Sequence, residues 1–123
     1  MPVTTLGFVE DVAELMRSAD VLVTKAGGLT LAEAFCCGVP AVVHDVVPGQ
    51  ESGNLEYMLQ RQAVAYAASA EELAELVSGL VADRPRRLAL AERGAALARP
   101  NAARDIAANM LRRLEASGRA LAD

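Results

Sequence analysis

The chain has 123 residues, 53% of them hydrophobic, with a net charge of −4 and a single histidine. That size and composition support one domain with a genuine core, while the acidic balance, with no basic run interleaved with aromatics, argues against a nucleic-acid surface. No apolar stretch approaches the roughly 18 residues that span a bilayer, and no signal peptide precedes the first expected strand. The adjacent Cys36 and Cys37 are too constrained to bridge each other in the usual way, so a reducing cytoplasm is the expected compartment.

In chain order, Val3 to Phe8 is a strand candidate, followed by a helix from Asp11 to Ala19 with Val12, Leu15, Met16 and Ala19 on one face. Val21 to Thr24 reads as a second strand and Thr30 to Cys37 as the next helix, closed by Gly38 and then Pro40. Ala41-Val42-Val43 is the third strand. Beyond the loop through Pro48-Gly49, Gln50 to Gln60 reads as a helix with Leu55, Met58 and Leu59 inward, and Ala63 to Ala67 as a short fourth strand. From there the pattern is helical only. Ser69 with Glu72 forms a capping box that opens a helix over Ala70 to Ala82. Pro85 suits the first position of another reaching about Ala98, and a last helix from near Asn101 carries Ile106, Met110 and Leu114, leaving residues 117–123 as a frayed tail.

Continuous apolar strands alternating with helices imply a parallel sheet covered on both faces, a Rossmann-like α/β arrangement. Ligands in such sheets bind beyond the carboxyl ends of the strands, which selects Val9-Glu10-Asp11, Lys25 to Thr30, and His44 to Asn54. The central loop is the strongest signal. Lys25-Ala26-Gly27-Gly28-Leu29-Thr30 joins a buried strand to a helix, where free amides and the positive end of the helix dipole converge on an anion.

The order Gly7-Phe8-Val9, Ala19-Asp20-Val21-Leu22-Val23-Thr24-Lys25-Ala26-Gly27-Gly28-Leu29-Thr30-Leu31-Ala32-Glu33-Ala34, Gly38-Val39-Pro40 and Pro48-Gly49-Gln50-Glu51-Ser52-Gly53-Asn54 resembles the C-terminal half of GT-B glycosyltransferases. The likeness is to the monogalactosyldiacylglycerol synthase and processive diacylglycerol glucosyltransferase group, relatives of the lipid II-forming GlcNAc transferase. It runs closely over residues 6–67 and beyond that by architecture. The resemblance implies a UDP-sugar donor and neither a metal nor any further cofactor. It implies that the backbone around Val9 reads the uracil edge, unless that segment is an ordinary turn. Gly27, Gly28, Leu29 and Thr30 would cradle the diphosphate, and Lys25 would add a cation there or stand solvated. The matching glutamate, Glu33, would accept from the ribose hydroxyls, although Thr30-Leu31-Ala32-Glu33 is also a capping box in which Glu33 returns to the Thr30 N–H. Gln50 and Glu51 would contact donor-sugar hydroxyls, and Asn54 would order this loop, contact the phosphates or simply begin a helix. His44 reads as a packed or hydrogen-bonded histidine and the cysteines as small core residues.

No general base is evident, so the catalytic set is empty for this chain. A helix N-terminus contributes about 0.3–1 kcal/mol, up to roughly 2, against the about 8–23 kcal/mol that enzymes supply in total. The resemblance places the base and the acceptor site on an N-terminal half. Residues 1–116 therefore read as a partial donor-binding domain of an inverting glycosyltransferase acting on a diacylglycerol-like or polyprenyl-linked acceptor, cytoplasmic or peripheral on the inner face of a membrane. Alternatives are a non-catalytic UDP-sugar-binding subunit of a split transferase, whose partner chain supplies the other half, and a UDP-sugar epimerase fragment. In the family's strand order the first strand here is separated from the others by two strands outside the chain. The exposed strand edge invites homodimerisation or disorder of residues 1–8.

Overall fold

The computed structural model describes residues 2–118. Helix α1 (Val12–Ser18) leads to β1 (Leu22–Thr24), α2 (Gly28–Cys37), β2 (Ala41–His44), α3 (Ser52–Gln60) and β3 (Ala65–Ala67), and then to α4 (Ala70–Ala82), α5 (Arg84–Ala95) and α6 (Ala102–Ala116). The three strands form a parallel sheet in the order β1-β2-β3, with Val42 opposite both Val23 and Ala65. Alternate residues of β2 face opposite layers. Ala41 and Val43 pack with Leu31 and Phe35 of α2 and Met58 of α3, whereas Val42 packs with Leu80 of α4 and Leu90 of α5. Helix α1 lies on α2 through Met16, Ala34 and Val39. The Rossmann-like α/β arrangement read from the alternation of elements is the observed one.

The expected strand at Val3 to Phe8 does not form. Residues 2–8 are exposed and without regular structure, with Phe8 96% exposed. A parallel strand has no hydrogen bonds of its own and needs a neighbour. This segment finds none among the described residues, and β1 is left at the edge of the sheet. Several boundaries also differ. Asp11 caps α1 instead of joining it, its Oδ1 accepting from the Glu14 N–H at 2.9 Å, and only Met16 of the expected α1 face is buried. The α3 helix begins at Ser52, not Gln50, and Leu59 is exposed because it lies on the outer side of that helix. Strand β3 is confined to Ala65–Ala67, α5 stops at Ala95 rather than Ala98, and Pro85 follows Arg84 within its first turn. Ile106 and Met110 of α6 are exposed, since α6 buries no residue against the described chain. Of the expected tail, residues 119–123 lie outside the described residues.

Two contacts fix the helical layers. At Gly94 of α5 an added Cβ would stand 2.7 Å from Phe35 Cδ1, so α5 and α2 approach more closely than any side chain would permit. Arg87 Nη1 donates to the Leu80 and Val81 carbonyls at 2.9 and 2.8 Å at the end of α4, while its Nη2 pairs with Asp20 Oδ1 at 3.1 Å just before β1. Gly38 closes α2 in the left-handed region at φ 71°, with the Val39 N–H returning to the Ala34 carbonyl at 3.2 Å. That is the six-to-one bond of a Schellman cap.

Candidate functional site: the glycine turn and its rim

At the carboxyl end of β1 the chain turns through Lys25, the fully buried Ala26 and Gly27 into α2. Gly27 is the N-cap, in extended backbone at φ −72° and ψ 124°, and offers no side-chain cap. The first ladder bond runs from the Leu31 N–H to the Gly27 carbonyl at 3.1 Å. The N–H groups of Gly28, Leu29 and Thr30 therefore meet no acceptor among the described residues. Three orphan amides at the positive end of a ten-residue helix are the arrangement that binds anions. Leu29 and Gly28 are exposed and Thr30 is half-buried, so the turn is accessible.

The helix begins two residues before the expected Thr30, which removes one of the two readings of Glu33. Thr30 is the third residue of α2 and cannot be its N-cap, so the Thr30/Glu33 capping box does not form. Glu33 is exposed and lines a groove of about 420 Å³ between α1 and α2 together with Glu10, Asp11, Met16, Arg17 and Cys36. Val9, half-buried, immediately precedes Glu10, which lines that groove. Cys36 is exposed and Cys37 half-buried, both as free thiols. The expectation of core cysteines fails for Cys36 because position 36 faces the groove and not the sheet.

On the other flank, the loop from Asp45 to Glu51 follows β2 over the glycine turn. Asp45 adopts φ 68°, a left-handed conformation that Asp tolerates better than most residues. Glu51, only 6% exposed, folds back onto this loop: its Oε2 accepts from the Val47 N–H at 3.1 Å, and its Oε1 pairs with Lys25 Nζ at 3.1 Å. The Val47 N–H hydrogen bond first, and then Lys25, hold the Glu51 carboxyl below the ordinary carboxylate range. A Cβ at Gly27 would stand 3.9 Å from Glu51 Oε1 and 4.0 Å from Lys25 Cε, which puts the pair directly over the turn. Asn54 Nδ2 donates to the Ala26 carbonyl at 3.2 Å and lies 3.5 Å from where a Gly28 Cβ would be. Gln50 is exposed beside this cluster. His44 is hydrogen-bonded, its Nδ1 standing 2.9 Å from the Ala67 carbonyl. A carbonyl only accepts, so Nδ1 carries the proton and the ring joins β2 to β3.

The structure thus gathers Lys25, Gly27, Gly28, Glu51 and Asn54 at one point, with Glu33 and Val9 along the α1 side and Gln50 on the α3 side. The sequence alone does not reveal that Lys25 and Glu51 are partners. They lie far apart in the chain, and the resemblance assigns Glu51 outward to the sugar rather than inward to Lys25.

A parallel sheet with an uncapped glycine turn at its carboxyl edge places the chain in the class of α/β domains whose helix N-termini are open to an anion. Residues 2–97 match the family described as glycosyl transferases group 1, and the chain belongs to that family. It is 44% identical over 82 residues to the processive diacylglycerol beta-glucosyltransferase of Bacillus licheniformis, covering 67% of this chain and 21% of that protein. With monogalactosyldiacylglycerol synthase 3 of Arabidopsis thaliana it shares 35% identity over 107 residues, covering 86% of this chain and 23% of the relative. The chain spans about a fifth of the length of these curated relatives. Among the described residues no helix is long and apolar enough to cross a membrane.

Proposed function

We propose that this chain is the donor-binding portion of an inverting glycosyltransferase that moves a hexosyl group from a UDP-sugar to a lipid acceptor. The observation that carries the reading is the uncapped N-terminus of α2, with three free amides above the carboxyl edge of the sheet. Around it, the Glu33 groove suits a nucleoside and the polar rim of Gln50 and Glu51 suits a polyol. The lipid acceptor is inferred from the relatives, whose names contain diacylglycerol.

In this reading Val9 meets the uracil edge, Glu33 the ribose, and Gly27 to Thr30 the diphosphate, with Gln50 on the sugar and Asn54 holding the turn. No metal takes part. None of these groups is placed as a general base, so the base and the acceptor site belong to another part of the enzyme, which works on the cytoplasmic face of a membrane. Strand β1, with Val23 exposed, is the sheet edge at which further strands would be added. The same exposed edge gives weight to a second reading, a donor-binding subunit completed by a partner chain. Co-purification of an acceptor-binding partner with the 123-residue chain would favour it.

Isothermal titration with UDP and 2′-deoxy-UDP tests the main reading. Wild type should bind UDP more tightly, and Glu33→Ala should lose about 1.5–3 kcal/mol toward UDP, as expected for a charge-assisted hydrogen bond. The variant should also lose the preference over the deoxy ligand. No heat with UDP, or a Glu33→Ala variant that keeps the preference, would sink this assignment.

A further inference from the structure

The Lys25–Glu51 pair is unlike an ordinary surface salt bridge because its two ends differ in freedom. The Lys25 side chain is 60% exposed and the Glu51 side chain 8%, so a mobile cation on a flexible stem meets a carboxylate that is fixed in place. Glu51 Oε2 is engaged by the Val47 N–H, and Oε1 is the oxygen that Lys25 covers. That same Oε1 and Lys25 Cε are the atoms nearest the missing Cβ of Gly27. The pair therefore stands at the entrance to the free amides of α2. Its purpose is not simply to tie β1 to the α3 segment, since the Asn54 hydrogen bond to the Ala26 carbonyl already joins these two parts of the chain.

We propose that this ion pair is an exchange device: the terminal phosphate of an entering diphosphate takes Lys25 Nζ from Glu51 Oε1, and the released Oε1 accepts a hydroxyl of the donor sugar. The proposal rests on the donor-binding reading above. A diphosphate seated on the α2 amides carries more charge than one carboxylate and sits at the positive end of the helix dipole, so it outcompetes Glu51 for the same cation. Lys25 reaches it by rotating its own exposed stem. Glu51 stays aimed by the Val47 N–H throughout, and the departure of Lys25 clears the approach to Oε1 and leaves its full acceptor capacity to the sugar. Sugar recognition is in this way coupled to the diphosphate, and Lys25 carries the coupling by moving from the carboxylate to the phosphate.

The test is isothermal titration of the 123-residue chain with UDP and with UMP. Lys25→Met should weaken UDP by about two- to fivefold, the range of one partly exposed ion pair, with UMP changed by less than about twofold. Glu51→Gln, which frees Lys25 of its carboxylate, should instead tighten UDP by a similar factor, and in the Lys25→Met background it should have no further effect. A latch with a purely structural role predicts weaker UDP binding from both substitutions. Equal UDP affinity in wild type and Lys25→Met, or weaker binding by a Glu51→Gln variant with a native circular dichroism spectrum, overturns the exchange and leaves the donor site standing. No UDP binding by wild type overturns both. Lys25 is exposed, so Lys25→Met decides the matter even if Glu51→Gln does not fold.

Discussion

Helices α2 and α4 both leave the carboxyl edge of the same sheet, one after β1 and the other after β3, yet their first turns are finished in opposite ways. At α4 the Ser69 Oγ accepts from the Glu72 N–H at 3.2 Å, and Glu72 Oε2 accepts from the Ala68 N–H at 2.8 Å. Glu71 and Glu72 further place negative charge on the positive end of that helix. At α2 the cap is Gly27, no side chain answers the amides, and the first turn has no acidic residue. The open first turn of α2, at the carboxyl edge of the sheet, is what the proposed donor-binding reading fills with an anion from outside. The difference lies in a few side chains around two otherwise similar turns.

Making α2 resemble α4 should produce the largest effect. Gly27→Ser places a Cβ in ordinary contact distance of its neighbours and supplies an Oγ able to accept from the amides that the phosphates need. UDP affinity should fall by about 1–2 kcal/mol, the scale of a helix N-terminal anion interaction, while the melting temperature holds or rises slightly. Calorimetric titration alongside a thermal melt checks both halves. The reverse change, Ser69→Ala, should cost about 1 kcal/mol of stability through loss of the α4 cap and leave UDP affinity unchanged. If UDP binding fell with it, the two helix ends would not be independent.

The smallest expected effect concerns acidity at the rim of α2. Glu51 has its folded pKa lowered below the ordinary carboxylate range, first by the Val47 N–H and then by Lys25. A depressed carboxylate contributes stability that is fully present above the unfolded pKa and lost as pH falls through the folded one. Urea melts from neutral pH down to the acid side of the carboxylate range should therefore show a decline in stability that is shallower in Glu51→Gln. Parallel curves for the two proteins would show that the Val47 and Lys25 contacts contribute no such linkage.

The sequence is most informative where structure is local. Gly38-Val39-Pro40 predicts the end of α2 correctly because a left-handed cap depends on the residues that form it. Ser69 and Glu72 likewise announce the start of α4, although the Glu72 carboxylate reaches the Ala68 amide rather than that of Ser69. Reading Thr30 and Glu33 by the same rule misplaces the start of α2, because Gly27 takes the cap position in extended backbone and Gly28 already opens the helix. The strand expected at Val3 to Phe8 has adequate local propensity and lacks only a neighbour, which no local pattern encodes. The same holds for the site: the glycine turn is visible in six residues, whereas the link between Lys25 and Glu51 exists only after β1 and the α3 loop have been brought together.

The missing side chain at Gly94 has a bearing on how the proposed site would receive an anion. Phe35, in the last turn of α2, stands where a Gly94 Cβ would be, and Ala63 stands behind it, with its carbonyl 3.4 Å from that point. The far end of α2 is thereby packed against α5 and the chain entering β3. In the donor-binding reading this close packing favours a receptor whose accommodation comes from what is loose at the rim, chiefly the exposed stem of Lys25.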